Sequence, residues 1–318
     1  MRVKSNAGFT LVELLVAIAL GLVILAGLYQ TFRTQHDSYI VQDQVAAMQQ
    51  NLRAAMYLIT RDLQMAGWYT NFDRNNRNID LGDLGMGNGR PLLFSLDNSD
   101  GAGGNINAGT DALVILKGGS QNRPLASGEV ASGTNISLSN RNLGGSTGND
   151  LNNTSKKYGL LVKSDLRAAD LFVVDASSGP INNPWPLNEN YLTDDLVFRA
   201  DVVVYKVSSD PASGRPILYR RNLGNDNGYQ PVAENIDNMQ VRYQLSDGSW
   251  VNELVLANQA QVRAVEVTLV GRTAQSQRGY TDTNTYDFAN NPAPHLNPND
   301  SFRRKTFSTI VKTRNVGL

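Results

Sequence analysis

The feature that most restricts this chain is an uninterrupted helical run near its start. No proline occurs between Phe9 and Ala66, and no glycine after Gly27. Leu14 to Tyr29 is apolar apart from Gly21 and Gly27, and a single carboxylate, Glu13, stands at its head. A short basic stretch, Met1-Arg2-Val3-Lys4-Ser5-Asn6-Ala7-Gly8, precedes the run. As a helix, Phe9 to Phe32 would be about 36 Å long at ~1.5 Å per residue, enough to cross a hydrocarbon core of about 30 Å. Carboxylates at lipid depth are costly and rare, so Glu13 needs a partner or a special role.

The second half of the run changes character. Val41, Val45, Met48, Leu52, Ala55, Ile59, Leu63 and Ala66 recur at spacings of four and three, which leaves Arg53, Arg61 and Asp62 on other faces. Gly67 then supplies a helix stop. A helix from Phe9 to Ala66 would be about 87 Å long. Its first half is apolar on every side and calls for lipid or other helices; its second half has one apolar stripe and calls for a globular domain.

Two ordinary explanations compete for the N-terminus. A secretory signal could end at Ala17-Ile18-Ala19, but the strongest apolar stretch would then lie after the cut and Glu13 inside the short core before it. A plain membrane anchor fits the length, with Arg2 and Lys4 holding the N-terminus in the cytoplasm.

Beyond Gly67 the pattern changes to strands between Asn-, Gly-, Asp- and Ser-rich loops. Asp111 to Lys117, Leu171 to Asp175 and Leu196 to Val207 read as buried strands. Met239, Val241, Tyr243 and Leu245 alternate with Gln240, Arg242 and Gln244, and Val265, Val267 and Leu269 with Glu266 and Thr268. Ser246-Asp247-Gly248-Ser249 is a turn signal that would join Tyr243 to Trp250 as a hairpin, and a last strand covers Thr306 to Thr313. Loops lie near Asp97–Thr110, Gly144–Thr154 and Gln275–Asn299. The expected class is α+β, one long helix packed on largely antiparallel sheet. The organisation expected is a leader at 1–8, an apolar helix at 9–32, its amphipathic continuation at 33–66 and a β-rich globular region at 67–318, long enough for two sheet lobes.

Composition removes several function classes. Lysine plus arginine equals aspartate plus glutamate at 29 each, and loss of Arg2 and Lys4 with a leader would leave the side chains slightly acidic. That gives no electrostatic case for nucleic acid. The one basic cluster, Arg303-Arg304-Lys305 with Lys312 and Arg314, reads as a solvated strand face. Without cysteine there is no disulfide, and the two histidines, His36 and His295, are too far apart in sequence and too exposed in expectation for metal or triad chemistry. No nucleophile, base and orienting group converge, so no catalytic residue, cofactor or metal is expected. Asp97-Asn98-Ser99-Asp100-Gly101 could offer oxygen ligands to calcium, but it lacks EF-hand spacing and the closing glutamate.

The run Gly8-Phe9-Thr10-Leu11-Val12-Glu13-Leu14, with its basic leader and apolar sequel, resembles the class III signal and N-terminal helix of type IV pilins and type II secretion pseudopilins. Leu58-Ile59-Thr60-Arg61-Asp62-Leu63-Gln64-Met65-Ala66-Gly67-Trp68 is similar to the helix end of the PilW minor pilins, which themselves resemble J-type pseudopilins. Val232-Ala233-Glu234-Asn235-Ile236-Asp237-Asn238-Met239-Gln240-Val241-Arg242-Tyr243 resembles a PilW segment, Arg263 to Leu269 a strand of both groups, and Thr313-Arg314-Asn315 a PilW ending. PilW proteins often carry cysteines after the Ala-Gly-aromatic motif, where this chain has Tyr69, Thr70 and Asn71.

The resemblance implies a set of roles. Prepilin peptidase would cut between Gly8 and Phe9 and methylate Phe9, while Glu13 would pair with a neighbouring subunit's N-terminal amine during assembly. Arg61, Asp62, Ala66, Gly67 and Trp68 would be family-motif residues. Gly21 and Gly27 would allow close helix packing or local unwinding. The chain would be a non-enzymatic minor pilin of a priming complex, carried to or near the pilus tip. There it would support twitching motility, adhesion or DNA uptake. Glu13 weighs against the extreme tip, since capping members tend to lack it. Partners would be other minor pilins, the major pilin, prepilin peptidase, the inner-membrane assembly platform and a tip adhesin. Before assembly the N-terminus would be cytoplasmic and the globular part periplasmic. A J-type pseudopilin and a ligand-binding tip module are the alternatives.

Overall fold

The structure, a computed structural model, describes residues 10–66, 93–99, 106–139, 157–166, 168–174, 180–184, 186–223, 228–254, 261–286 and 298–313, with residues 143, 151, 258, 288 and 296. One helix, α1 (Leu11–Gln64), is followed by β1 (Leu93–Ser99), β2 (Thr110–Pro124), β3 (Val130–Ser132), β4 (Asn135–Ser137), β5 (Lys157–Val162) and β6 (Ala169–Val174). Then come β7 (Ile181–Asn182), β8 (Leu196–Ser209), β9 (Pro216–Asn222), β10 (Gln230–Glu234), β11 (Ile236–Leu245), β12 (Trp250–Val251), β13 (Val262–Arg272) and β14 (Arg304–Lys312). Among the described residues every strand pairing is antiparallel, so the architecture is α+β with one long helix and antiparallel sheets.

The chain divides into two compact units, Met1–Ala47 and Met48–Leu318. In the first, the apolar side chains from Leu11 to Leu25 are all exposed, on a helix long and apolar enough to cross a membrane. A helix apolar all round has no soluble face, so its stability must come from lipid or from other helices.

In the second unit, α1 buries Met48, Leu52, Ala55, Met56, Ile59, Asp62 and Leu63. The sequence period anticipates most of this stripe, with two departures: Met56 widens it, and Asp62 lies inside it rather than on an outer face. The helix closes by tightening its last turn, with Met65 N–H donating to Asp62 O and Ala66 N–H to Leu63 O.

The largest sheet has seven strands centred on β8. One side of β8 pairs with β2; its other side takes β5 along Leu196–Ala200 and β9 along Val203–Ser209. Paired on both sides, β8 is buried almost continuously, even at Arg199 and Lys206. Ala112, Val114, Leu116, Leu160, Phe198, Val202 and Val204 build one core layer. Leu161, Phe172, Val174 and Val197 join Ala131, Ile136, Ile181 and Tyr191 in a second, beneath the small sheet β3-β4-β7. Gly159 lies opposite Phe172, and a Cβ there would come within 2.2 Å of the ring.

The second sheet runs β12-β11-β13-β14. Its β11–β12 hairpin closes over the Ser246–Ser249 turn, with Tyr243 opposite Val251. The two larger sheets are stitched together by polar groups. The buried Asp111 carboxylate accepts from Val241 N–H at 2.7 Å, and Asn238 and Gln240 amides donate to Gly109 O. Leu52 of the helix packs onto Gly271 of β13, where a Cβ would lie 2.9 Å from Leu52 Cγ.

Most anticipated strands fall inside observed ones: Asp111 to Lys117 in β2, Leu196 to Val207 in β8, and the two alternating runs in β11 and β13. Strands β1, β5, β9 and β10 and the short β3, β4 and β7 have no counterpart in the sequence expectation. In particular, Asp97 to Ser99, read as loop, complete β1, while Asp100 and Gly101 lie outside the described residues. Sequence alternation is weak there because β5 and β9 carry glycine, lysine or arginine within them.

Candidate functional site

Three constellations among the described residues bear on the residues singled out from the sequence, two of them on α1. At its start, Thr10 is the N-cap and Glu13 the third helical residue. Thr10 N–H and Thr10 Oγ1 donate to Glu13 Oε2 at 2.9 and 3.0 Å, and Glu13 N–H donates back to Thr10 Oγ1 at 3.3 Å. This is a reciprocal capping box, Thr-x-x-Glu, which satisfies helix-end donors that no earlier carbonyl can reach. The carboxylate also sits at the positive end of the helix dipole. It is exposed, and among the described residues its hydrogen bonds run through Oε2. Sequence reasoning placed Glu13 as an acid seeking a partner and overlooked this local one, although the threonine three residues earlier signals it.

At the other end of α1 lies a buried ion cluster. Asp62, 5% exposed, receives Lys117 Nζ on Oδ1 at 2.6 Å and both Tyr205 OH and Arg220 Nε on Oδ2, at 2.6 and 2.9 Å. Arg220 Nε also reaches Tyr205 OH at 3.1 Å. The donors come from β2, β8 and β9, so one carboxylate ties the helix to three strands. Burial alone would push the Asp62 pKa up, but the hydrogen bonds from Arg220, Lys117 and Tyr205 outweigh it and hold the group below the ordinary aspartate range. Burial and the adjacent Asp62 charge push the Tyr205 phenol well above its usual value. Ala66, fully buried, forms an isolated bridge to Lys117 beside the cluster.

The placement of Asp62 corrects the expectation of an outer face. Its neighbours Ile59, Leu63 and Ala66 are all core, so the helix turn carries Asp62 inward with them. Only cations far along the chain make that burial tolerable. Arg61 remains exposed, while Gly8, Phe9, Gly67 and Trp68 lie outside the described residues.

The third constellation corrects the solvated basic face. Arg304, with its side chain 3% exposed, forks onto Asp300 through two 2.6 Å hydrogen bonds, donates to Asp237 Oδ2 at 2.5 Å and touches Asp282 at 3.3 Å. Arg303 lies over the Tyr280 ring and donates to Gln277. These two arginines strap the 273–303 connection onto the second sheet. Burial raises the Asp237 pKa against the attraction of Arg304 and Arg272. The Tyr286 phenol, half-buried and donating to Asp282, is pushed up to about 12. Lys305 and Lys312 are exposed as expected, and Arg314 lies outside the described residues. The carboxylates around Arg304 already have their cation, and among the described residues no cluster of three or more His, Cys, Asp or Glu is arranged to hold a metal ion. His36 is exposed on α1, and His295 lies outside the described residues.

Comparison with known proteins adds three findings. The family model described as Prokaryotic N-terminal methylation motif matches residues 3–29. The model described as Type IV Pilus-assembly protein W, PilW, matches residues 204–315, from within β8 to beyond β14. Among solved structures, a type IV-like pilin from Thermus thermophilus aligns over 85% of this chain and 96% of its own, at 13% identity and a TM-score of 0.38. No curated protein matched.

Proposed function

We propose that this type IV pilin-like minor pilin, which carries a PilW domain and the methylation motif of prepilin-like proteins, joins other minor pilins in an inner-membrane complex that primes pilus assembly. The observation that carries the reading is Glu13 at the head of an uncovered apolar helix, inside the matched methylation motif. The motif implies prepilin peptidase processing, with the cut between Gly8 and Phe9 and methylation of Phe9. Arg2 and Lys4 hold the N-terminus in the cytoplasm until then.

Glu13 gives the assembly step its chemistry. In the single chain, Thr10 holds one carboxylate oxygen, and among the described residues nothing donates to the other. As the apolar helix moves into a bundle of like helices, water leaves and the charge requires a cation. The N-terminal amine of a neighbouring subunit supplies it. With that contact made, the subunit enters the fibre at or near the tip, below any cap.

Deleting the gene reduces surface pili and twitching motility while exoprotein secretion continues. Lost secretion with intact pili would instead assign the chain to a type II secretion pseudopilus. Glu13→Ala leaves cleavage intact and impairs incorporation; equal incorporation of this variant into complexes and fibres would overturn the pairing role.

A further inference from the structure

Strand β14 ends the second sheet, where it pairs with β13. Its ladder with β13 runs without a register shift from Ala264↔Lys312 to Arg272↔Arg304. Among the described residues, none pairs with its other side. The orientation of its backbone follows from the two ends of the ladder. Thr313 N–H donates to Arg263 O, and Arg303 O accepts from Thr273 N–H. Since hydrogen-bonding direction alternates along a strand, the odd residues 305–311 turn to β13 and Thr306, Ser308, Ile310 and Lys312 turn their N–H and C=O groups outward.

The side chains of this edge are unusual for a free one. Thr306-Phe307-Ser308-Thr309-Ile310-Val311 holds no charge, proline or glycine. Phe307 is 37% and Ile310 56% exposed. Proteins normally blunt such edges with proline, bulges, short strands or cover, and three other edge strands here do so. Strand β10 has Pro231 and a register shift beside it, β12 has two residues, and the Val173 N–H of β6 is occupied by Asn183 Oδ1. Only Lys305 and Lys312 guard β14, one at each end.

Those cations also select the occupant. A fully overlapped antiparallel pairing with a second copy, centred on Ser308, brings no carboxylate to Lys305 or Lys312, which fall opposite Val311 and Arg304, and a parallel in-register pairing stacks lysine on lysine. Like charges directly opposite destabilise a strand pair. We propose that the open edge of β14 accepts one strand from a different chain, a neighbouring pilin-like subunit. That strand carries about six uncharged β-branched or aromatic residues between two carboxylates. The source of the strand rests on the assembly reading above; the edge itself does not.

The test uses the full chain in detergent micelles and two synthetic peptides, Asp-Thr-Val-Ser-Val-Thr-Val-Asp and the same sequence with lysine at both ends. The acidic peptide slows amide exchange at Thr306, Ser308 and Ile310, and the lysine peptide does not. Ser308→Pro removes one outward N–H without touching the β13 ladder and weakens binding by about tenfold or more. Ile310→Lys does the same by side-chain charge, so a folding defect in one variant leaves the other decisive. No protection by the acidic peptide, equal protection by both, or a β14-mediated dimer of the chain itself overturns the inference. A chromosomal Ser308→Pro strain, compared with the deletion strain, separates the two readings. Pili lost in the deletion but normal in Ser308→Pro sink the edge as the assembly contact. Normal pili in the deletion strain sink the assembly reading and the subunit as source, while peptide protection still supports strand addition.

Discussion

Glu13 and Asp62 lie on the same helix, yet the first is held by its own opening turn and the second by three strands that arrive much later in the chain. Glu13 is exposed and, among the described residues, bound to Thr10, three residues away. Asp62 is buried, and its partners are separated from it by 55, 143 and 158 positions. The difference shows what each end of the helix is for. The start is finished locally and leaves a carboxylate available to another molecule. The end is finished by the fold and leaves nothing available.

The sharpest way to break that contrast is to remove Asp62. Asp62→Ala leaves Lys117 and Arg220 facing each other without their counter-charge. Losing one partner of a buried pair costs about 3–5 kcal/mol, and the 29% exposure of the Arg220 side chain places this case toward the lower end. Urea denaturation of the full chain in micelles measures it through the globular transition. Replacing the set together, Asp62→Leu with Lys117→Met and Arg220→Met, recovers most of the loss, because no uncompensated charge remains. If the triple variant is as unstable as the single one, the cluster is not the clamp described.

Acid should act on the same contact more gently. The folded pKa of Asp62 lies below its ordinary value, so its contribution is fully present above the ordinary aspartate range and is lost as pH falls through the lowered folded value. Asp237, raised by burial, runs the other way and favours the folded state more when protonated. Asp62→Asn therefore shows a flatter decline in stability with acid than the parent chain does. An unchanged acid profile would break the assignment.

At the start of the helix the effects are smaller and local. Thr10→Val removes the cap oxygen and costs about 1 kcal/mol of helix stability, read as lost helicity near residue 10 in micelles. The urea midpoint of the globular region stays unchanged. Glu13→Gln is expected to leave that midpoint unaltered as well, and its effect appears only when subunits associate. A shift in the globular midpoint for either variant would mean the two ends are not independent.

The arginines at 303 and 304 show why sequence patterning reads a surface more easily than a cluster. Three cations in a row at the end of a loop suggest a solvated face, and Lys305 obeys. Arg304 does not, because Asp237, Asp282 and Asp300 converge on it from β11 and the connection after β13. Such convergence leaves no period in the sequence. The same limit hid the strands β5 and β9, whose Gly159, Arg220 and Arg221 meet other elements rather than alternating cleanly. By contrast, the β11 and β13 alternations were readable because one face meets the core and the other meets water.

The sequence alone determined the long proline-free helix, its change from apolar to amphipathic, the α+β class and the acid at the head of the apolar stretch. Each depends on neighbours within a few residues, where spacing and residue type suffice. Only the tertiary structure decided that Asp62 is an internal clamp, that Arg304 is a buried strap and that β14, among the described residues, keeps an open edge. Those outcomes depend on which distant groups arrive to neutralise a charge or pair a backbone, and on where none does.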